Sequence, residues 1–422
     1  MKGDYVCLLK REVIPALGCT EPVAVALCCA KAKDELKNIP EMVEVYVSKN
    51  IMKNGMGVGV PNTGMVGLDI SAAIGSIIGN SSKGLNVLED VTPDILEMAK
   101  GFIEDGKVKV SLKNTNEKLY IESILYFKND YVKVIIKNRH NNFVYIKKNG
   151  QVLLNIEEDE IAPFVEDISL TVRDILDFAL SVNIKDIEFL LEGVEMNRRI
   201  SSEGLSKDYG LNVGKKMLEN IKKGILSDDI HNYAMALTAA GADARMAGAT
   251  LPVMSSAGSG NQGLTAILPV VAVAEKINSN NETLARALVI SHLITYHIKS
   301  HLGRLSPVCG CGVAASTGAS CAIAYLLGGG YVEICKVIKN MVADIAGIIC
   351  DGAKPSCALK LSTAASAAVQ SALLALSGVE VSKYDGIVEE DVEKTIMNLA
   401  KIGTLGMNTT DDVILNIMTN KC

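Results

Sequence analysis

The sequence predicts an α+β fold, a mostly helical domain joined to a smaller, mainly antiparallel α/β sheet domain. Three observations point to it. Short segments between residues 42 and 149 alternate apolar and polar residues, the period of a half-exposed strand. From residue 171 onward, helical periodicity follows almost without a break. Finally, 49% of the residues are apolar but only 4% are aromatic, and tryptophan is absent. The core must therefore be built from Ala, Val, Ile, Leu and Met, small side chains that suit close helix packing. At 422 residues the chain is long enough for two or three domains and needs no disulfide to hold a core.

Residues 6–35 carry a helical pattern that Pro15, Gly18 and Pro22 interrupt, placing LGCTEP at a helix start with Thr20 as cap and Glu21 in the first turn. Cys19 then lies beside the positive end of a helix dipole, where a lowered thiol pKa is expected. MVEVYVSKN, KVKVSLKN, KLYIESILYFKND, YVKVIIKN and FVYIKKN read as strands separated by Asn, Gly and Asp turns. A helical pair, 67–78 and 92–104, is inserted after the first strand. Helices are expected over 171–182, 187–198, 213–223, 228–245, 265–276, 282–299, 332–349, 359–376 and 389–400. The expected organisation is an N-terminal helical segment, 1–39, packing on the helical domain that spans 165–422, with the sheet domain over 40–164.

A net charge of -6 and a pI near 5.6 leave no basic stripe for nucleic acid. The N-terminus has charges in every apolar run and reads neither as a signal peptide nor as an anchor. The longest apolar runs, 312–327 and 359–376, are rich in Ala, Ser, Gly and Thr and read as buried helices. No membrane association is expected, and the cytoplasm is the expected compartment. There the eleven cysteines would be free, ligating or catalytic. The small-residue helices would suit a homodimer.

Six of the eleven cysteines fall between Cys309 and Cys357, in a small, apolar setting. Gathered soft thiolates point to an iron-sulfur cluster first and zinc second; no CxxC pair completes a zinc set. Cys350 and Cys357 flank DGAKPS, whose Gly352 and Pro355 bend the chain so that both thiolates can face one centre. The CGC of Cys309 and Cys311 offers two choices for a third. Three ligands suffice if one iron is left for substrate, where it would act as a Lewis acid. Cys7, Cys28, Cys29, Cys321 and Cys335 sit inside helical patterns and read as small apolar filler. His297 and His301, four apart without HExxH, read as surface or hydrogen-bonded core histidines.

LGCTEP, HLGRLSPVCGCGVAASTGASCAIAYLLGGG and GIICDGAKPSCALKLSTAASAAVQSALLAL resemble the L-cysteine desulfidases, relatives of the α-domain of iron-sulfur L-serine dehydratases. The resemblance covers nearly the whole chain. It implies a 4Fe-4S enzyme that splits L-cysteine into pyruvate, ammonia and sulfide. It also implies Cys350, Cys357 and Cys309 as the cluster ligands, Cys309 fitting better than Cys311 when LLGG is the anchor. Cys19 takes the place of the family's proton-abstracting cysteine.

SSAGSGNQG precedes an apolar helix, so Ser259, Asn261 and Gln262 could cradle a substrate carboxylate or simply cap the helix. Asn62 and Thr63 in GVPNTGMVG could bind substrate or shape a turn. Arg304 could pair with a carboxylate bidentately, and Lys354 could offset cluster charge. Asp351 is expected to order its turn, and Cys422 could swing in as a removable cap on the open iron. Two other functions stay open: an iron-sulfur L-serine or L-threonine dehydratase, and a non-catalytic iron-sulfur redox sensor, for which the chain offers no basic helix.

Overall fold

The computed structural model describes residues 2–156, 170–303 and 305–421, and shows an α+β protein. Arg304, Cys422 and the expected domain boundary at 164/165 lie outside the described residues. Helix α1 (Lys2–Glu12) leads through a two-residue strand β1 (Pro15–Ala16) into α2 (Thr20–Leu36). Strand β2 (Met42–Val47) is followed by α3 (Lys49–Gly55), α4 (Leu68–Ile78) and α5 (Pro93–Glu104). The strands β3 (Val108–Leu112), β4 (Tyr120–Phe127), β5 (Asp130–Lys137), β6 (Phe143–Lys148) and β7 (Gln151–Asn155) complete the sheet.

The sheet order is β3-β2-β4-β5-β6-β7, antiparallel except for the β2–β3 pair. That pair is parallel because α3, α4 and α5 separate its strands, leaving a crossover instead of a hairpin. Strand β5 shows why the alternation was readable: Val132, Val134 and Ile136 are buried while the residues between them are not.

The helical part comprises α6 (Val172–Ser181), α7 (Ile184–Ile187), α8 (Leu190–Ser206), α9 (Val213–Lys222), α10 (Ile230–Met246), α11 (Gly260–Lys276), α12 (Asn281–Leu302), α13 (Ser316–Leu326), α14 (Tyr331–Ile345), α15 (Cys357–Leu376), α16 (Val392–Lys401) and α17 (Thr410–Thr419). Strand β8 (Val253–Met254) pairs with β1 and ties the N-terminal segment to the helical part. Helix α15 is long and apolar enough to cross a membrane by composition. In this fold it packs against α10, α13 and α14 at the heart of the helical core.

Two apolar cores result. One gathers the helices from α6 to α16 together with α1, through Tyr5, Leu8 and Leu9. The other joins α2 and α4 to the sheet through Leu27, Ile74, Val45 and Ile121. The N-terminal segment is thus shared: α1 packs on the helical part, whereas the alanine-rich α2, apolar on nearly every side, is buried against the sheet. A third small cluster, Cys19, Val58 and Met246 with Ala353 and Cys357 against it, lies on the seam between them.

Candidate functional site

A cavity of about 120 Å³ lies where the two cores meet, and its wall includes Cys19, Cys309, Cys311, Cys350 and Cys357. Its thiols and the expected loop residues come from four separate chain segments. The turn before α2 brings Cys19, the loop before α11 brings Ser259, Asn261 and Gln262, a wide π-type turn at Gly310–Ala315 brings the CGC pair, and the turn before α15 brings the last two thiols. The CGC and CDGAKPSC segments are stitched together by backbone bonds from Cys309 N to Ile348 O and from Cys350 N to Pro307 O.

Gly352 explains the shape of the second turn. Its φ is +90°, and a Cβ there would stand 2.2 Å from the Lys53 carbonyl oxygen, so only glycine lets the turn approach α3. Lys53, fully buried, completes the clamp: its ammonium donates to the Cys350 carbonyl at 3.0 Å and pairs with Asp411 of α17 at 2.5 Å. Asp351 pairs with Lys354 and Lys360. Burial alone would raise its carboxyl, but the two ammonium groups outweigh that and hold it at about 2. Lys354 is therefore committed to ordering the turn, donating also to the Asp351 and Gly352 carbonyls.

Cys309 and Cys311 share a hydrogen bond. That bond, aided by the Gly312 N–H at 3.4 Å, lowers the Cys309 thiol below its usual range, while Cys311 is raised. Burial raises Cys350, and pushes Cys357 up to about 11.

Cys19 departs from expectation. It does stand at the N-cap of α2, but burial pushes its thiol up to about 11, and the Arg245 guanidinium beside it offsets that only in part. Desolvation acts on the whole charge, whereas a helix start supplies about half a unit of it. Arg245 is itself buried, donating to Asn261 Oδ1 at 2.9 Å and to the Gly18 carbonyl at 2.6 Å.

The other expected site residues divide. Ser259 precedes α11 without making a side-chain cap bond, so it lines the cavity and is not a plain helix cap. Asn261 also lines it but is engaged with Arg245. Gln262 is buried with Oε1 unpartnered. Of the two alternatives for Asn62 and Thr63, the contacts seen are those of a turn: Asn62 donates to the Leu88 carbonyl, and the Thr63 hydroxyl bonds Val60 O and Met65 N. His297 is a core histidine, 2.7 Å from Glu393. Cys28 fills core space against Ser123 and Val134, and Cys29 and Cys321 are likewise buried; Cys7 is exposed.

Sequence reading missed Arg245, Lys53, Lys299, Glu21 and Asn54. A signal existed for Arg245: GADARMAGA places two lone charges in a run of Ala and Gly, and a charge in a buried helix needs a task. Lys299, deep in the wall, is pushed down to about 8 by burial although Cys350, Cys311 and Cys309 pull it upward.

Soft thiols are the donors that an iron-sulfur cluster takes, and four of them besides Cys19 line this cavity. Among the described residues no three His, Cys, Asp or Glu side chains converge as one mononuclear ion requires. Lys299 and Lys360 are near enough to feel the charge of these thiols.

A family model described as the serine dehydratase alpha chain matches residues 82–416. The chain belongs to that family. The match takes in the four cavity thiols after residue 300, and Cys19 precedes it. UPF0597 proteins resemble the chain end to end. One from Bacteroides fragilis (strain YCH46) is 47% identical over 422 residues, covering 100% of this chain and 98% of its own. Another, from Clostridioides difficile (strain 630), is 48% identical and covers 98% of both chains. A third, from Alkaliphilus oremlandii (strain OhILAs), is 48% identical, covering 99% of this chain and 98% of its own.

Proposed function

We propose that this serine dehydratase-like lyase is an iron-sulfur L-cysteine desulfidase acting in the cytoplasm. The observation that carries the reading is the meeting of five thiols from separate segments in one cavity, Cys19 among them beside a guanidinium. Cys309, Cys350 and Cys357 would hold a 4Fe-4S cluster. When bound, such a cluster supplies a Lewis-acidic iron that favours departure of the substrate's sulfur.

The chain's own residues do the rest. Cys19 removes the Cα proton, the C–H electrons form the Cα–Cβ double bond, and the C–S pair leaves with sulfide. The resulting aminoacrylate takes its proton back at Cβ, and water hydrolyses the imine to pyruvate and ammonium. Arg245 supplies the counter-charge for the Cys19 thiolate and fixes the preceding Gly18 carbonyl. The Ser259–Gln262 loop offers a carboxylate the start of α11.

L-Serine dehydration is the second reading, favoured by the family model itself. Anaerobic reconstitution with iron and sulfide, followed by pyruvate and sulfide assays on L-cysteine and L-serine, separates the two. Sulfide with pyruvate from L-cysteine is expected. Pyruvate from L-serine alone would transfer the assignment, and full turnover by metal-free protein would end both.

A further inference from the structure

One feature of the cavity concerns acceptors rather than thiols. Its cations hold protein acceptors: Lys53 on Asp411 and the Cys350 carbonyl, Lys360 on Asp351, Lys299 on the Gly303 carbonyl, and Arg245 on Asn261 and Gly18. Other acceptors in the same wall, the Asn54 amide oxygen among them, have no such cation. Glu21 is 8% exposed, held by Asn54 Nδ2 at 2.9 Å and the Thr20 hydroxyl at 3.2 Å; among the described residues no cationic side chain pairs with it. Gln262 is 4% exposed, and its Oε1 has no hydrogen-bond partner. It faces Gly310, where a Cβ would stand 2.8 Å from it.

A carboxylate in the first turn of a helix gains from the dipole, which accounts for an exposed acid there. It does not account for a buried one, because a lone buried anion costs several kcal/mol without a counter-charge. An unpaired buried amide oxygen adds about 1 to 3 kcal/mol. Both debts are settled by the same ligand chemistry, a compact cation with several N–H donors. A primary ammonium has that form.

We propose that Glu21, seconded by the side-chain oxygen of Gln262, anchors the α-ammonium group of the substrate. The cavity then takes α-amino acids and rejects counterparts without the amine. This assignment rests on the lyase reading for the identity of the ligand, and it makes Glu21 a specificity-determining residue in that reaction. The carboxylate and the leaving group are left to the α11 loop and the thiol side of the wall.

The test compares L-cysteine with 3-mercaptopropionate, which lacks only the amine. Both are titrated calorimetrically into the reconstituted protein carrying Cys19→Ser, so that bound ligand is not consumed. The parent is expected to prefer the amino acid by about 100-fold, the effect of leaving buried polar groups unpaired. Adding Glu21→Gln should bring the two ligands within about 5-fold, mainly by weakening L-cysteine. Gln262→Met, of similar volume, should cut the preference by about 5-fold and serves if Glu21→Gln misfolds.

A parent that binds both ligands alike overturns the proposal. So does a Glu21→Gln protein that weakens both equally, or a preference that survives both substitutions. Pyruvate assays on wild-type enzyme judge the lyase reading separately, since amine discrimination is read from binding and not from turnover.

Discussion

Replacing Gly352 with alanine strikes the turn that carries Cys350 and Cys357 without touching a thiol. The new Cβ would meet the Lys53 carbonyl oxygen at 2.2 Å and its carbon at 3.1 Å. Ordinary contact needs roughly 3.4 Å or more, so the turn must retreat from α3 by about 1 Å. Neither partner can swing aside, because the clashing atoms are backbone. The φ of +90° adds about 1 to 3 kcal/mol of strain for a residue with a side chain. Retreat also lengthens the 3.0 Å bond from Lys53 to the Cys350 carbonyl. A displacement of about 1 Å at a reacting constellation costs on the order of 100-fold in rate. The assay measures iron per chain after anaerobic reconstitution, pyruvate release and thermal midpoint. Gly101→Ala, inside α5 with open space around the new methyl, is the control and should gain about 0.5 to 1 kcal/mol with iron unchanged. If Gly352→Ala keeps its iron and stays within about 3-fold of wild-type rate, the tight approach of turn and helix does not set the site geometry.

Cys350→Ala and Cys357→Ala should each lose iron and turnover together, whereas Cys19→Ser should keep its iron and brown colour and lose turnover; iron retained by both alanine variants rejects the ligand set. Asp411→Asn leaves the buried Lys53 ammonium without its counter-charge. Because Asp411 is partly exposed, the expected cost is about 2 to 3 kcal/mol, seen as protease sensitivity in α17, with Lys53→Met/Asp411→Leu recovering most of it. Wild-type-like resistance in the single variant would contradict this. His292 is buried, which pushes its imidazole down to about 3, and its Nδ1 meets the Ser256 hydroxyl at 2.9 Å. The unfolded chain therefore binds a proton that the native state refuses between about pH 6.5 and pH 3. Stability is fully present above that window and falls as pH drops through it, by about 2 kcal/mol at pH 5. Denaturant titrations across that range should show a shallower acid limb for His292→Gln; identical slopes would remove His292 as the cause.

Much of the fold was legible because it depends on near neighbours in sequence. Alternation in YVKVIIKN is the alternation of two sheet faces, and it places Val132, Val134 and Ile136 inward. Helices α6, α9, α10, α12, α15 and α16 were found where expected within a few residues. Helix α3 was missed because its seven residues are too short for a period to register, and α17 because its flanks give no apolar stripe of length. The parallel β2–β3 pair escaped notice since strand direction depends on where a crossover returns, which no strand encodes.

For the site, the residue types alone determined where soft ligands gather and how the Cys350–Cys357 segment must turn, since Gly352 and Pro355 act on their own backbone. Tertiary structure decided what those groups meet. Arg245 and Lys299 belong to helices α10 and α12, outside the quoted cysteine motifs, and only packing brings them to the wall that Glu21 shares. It also reversed the expectation for Cys19. A helix start is a local field that sequence reveals, but desolvation is summed over every atom that excludes water, and those atoms come from the whole chain.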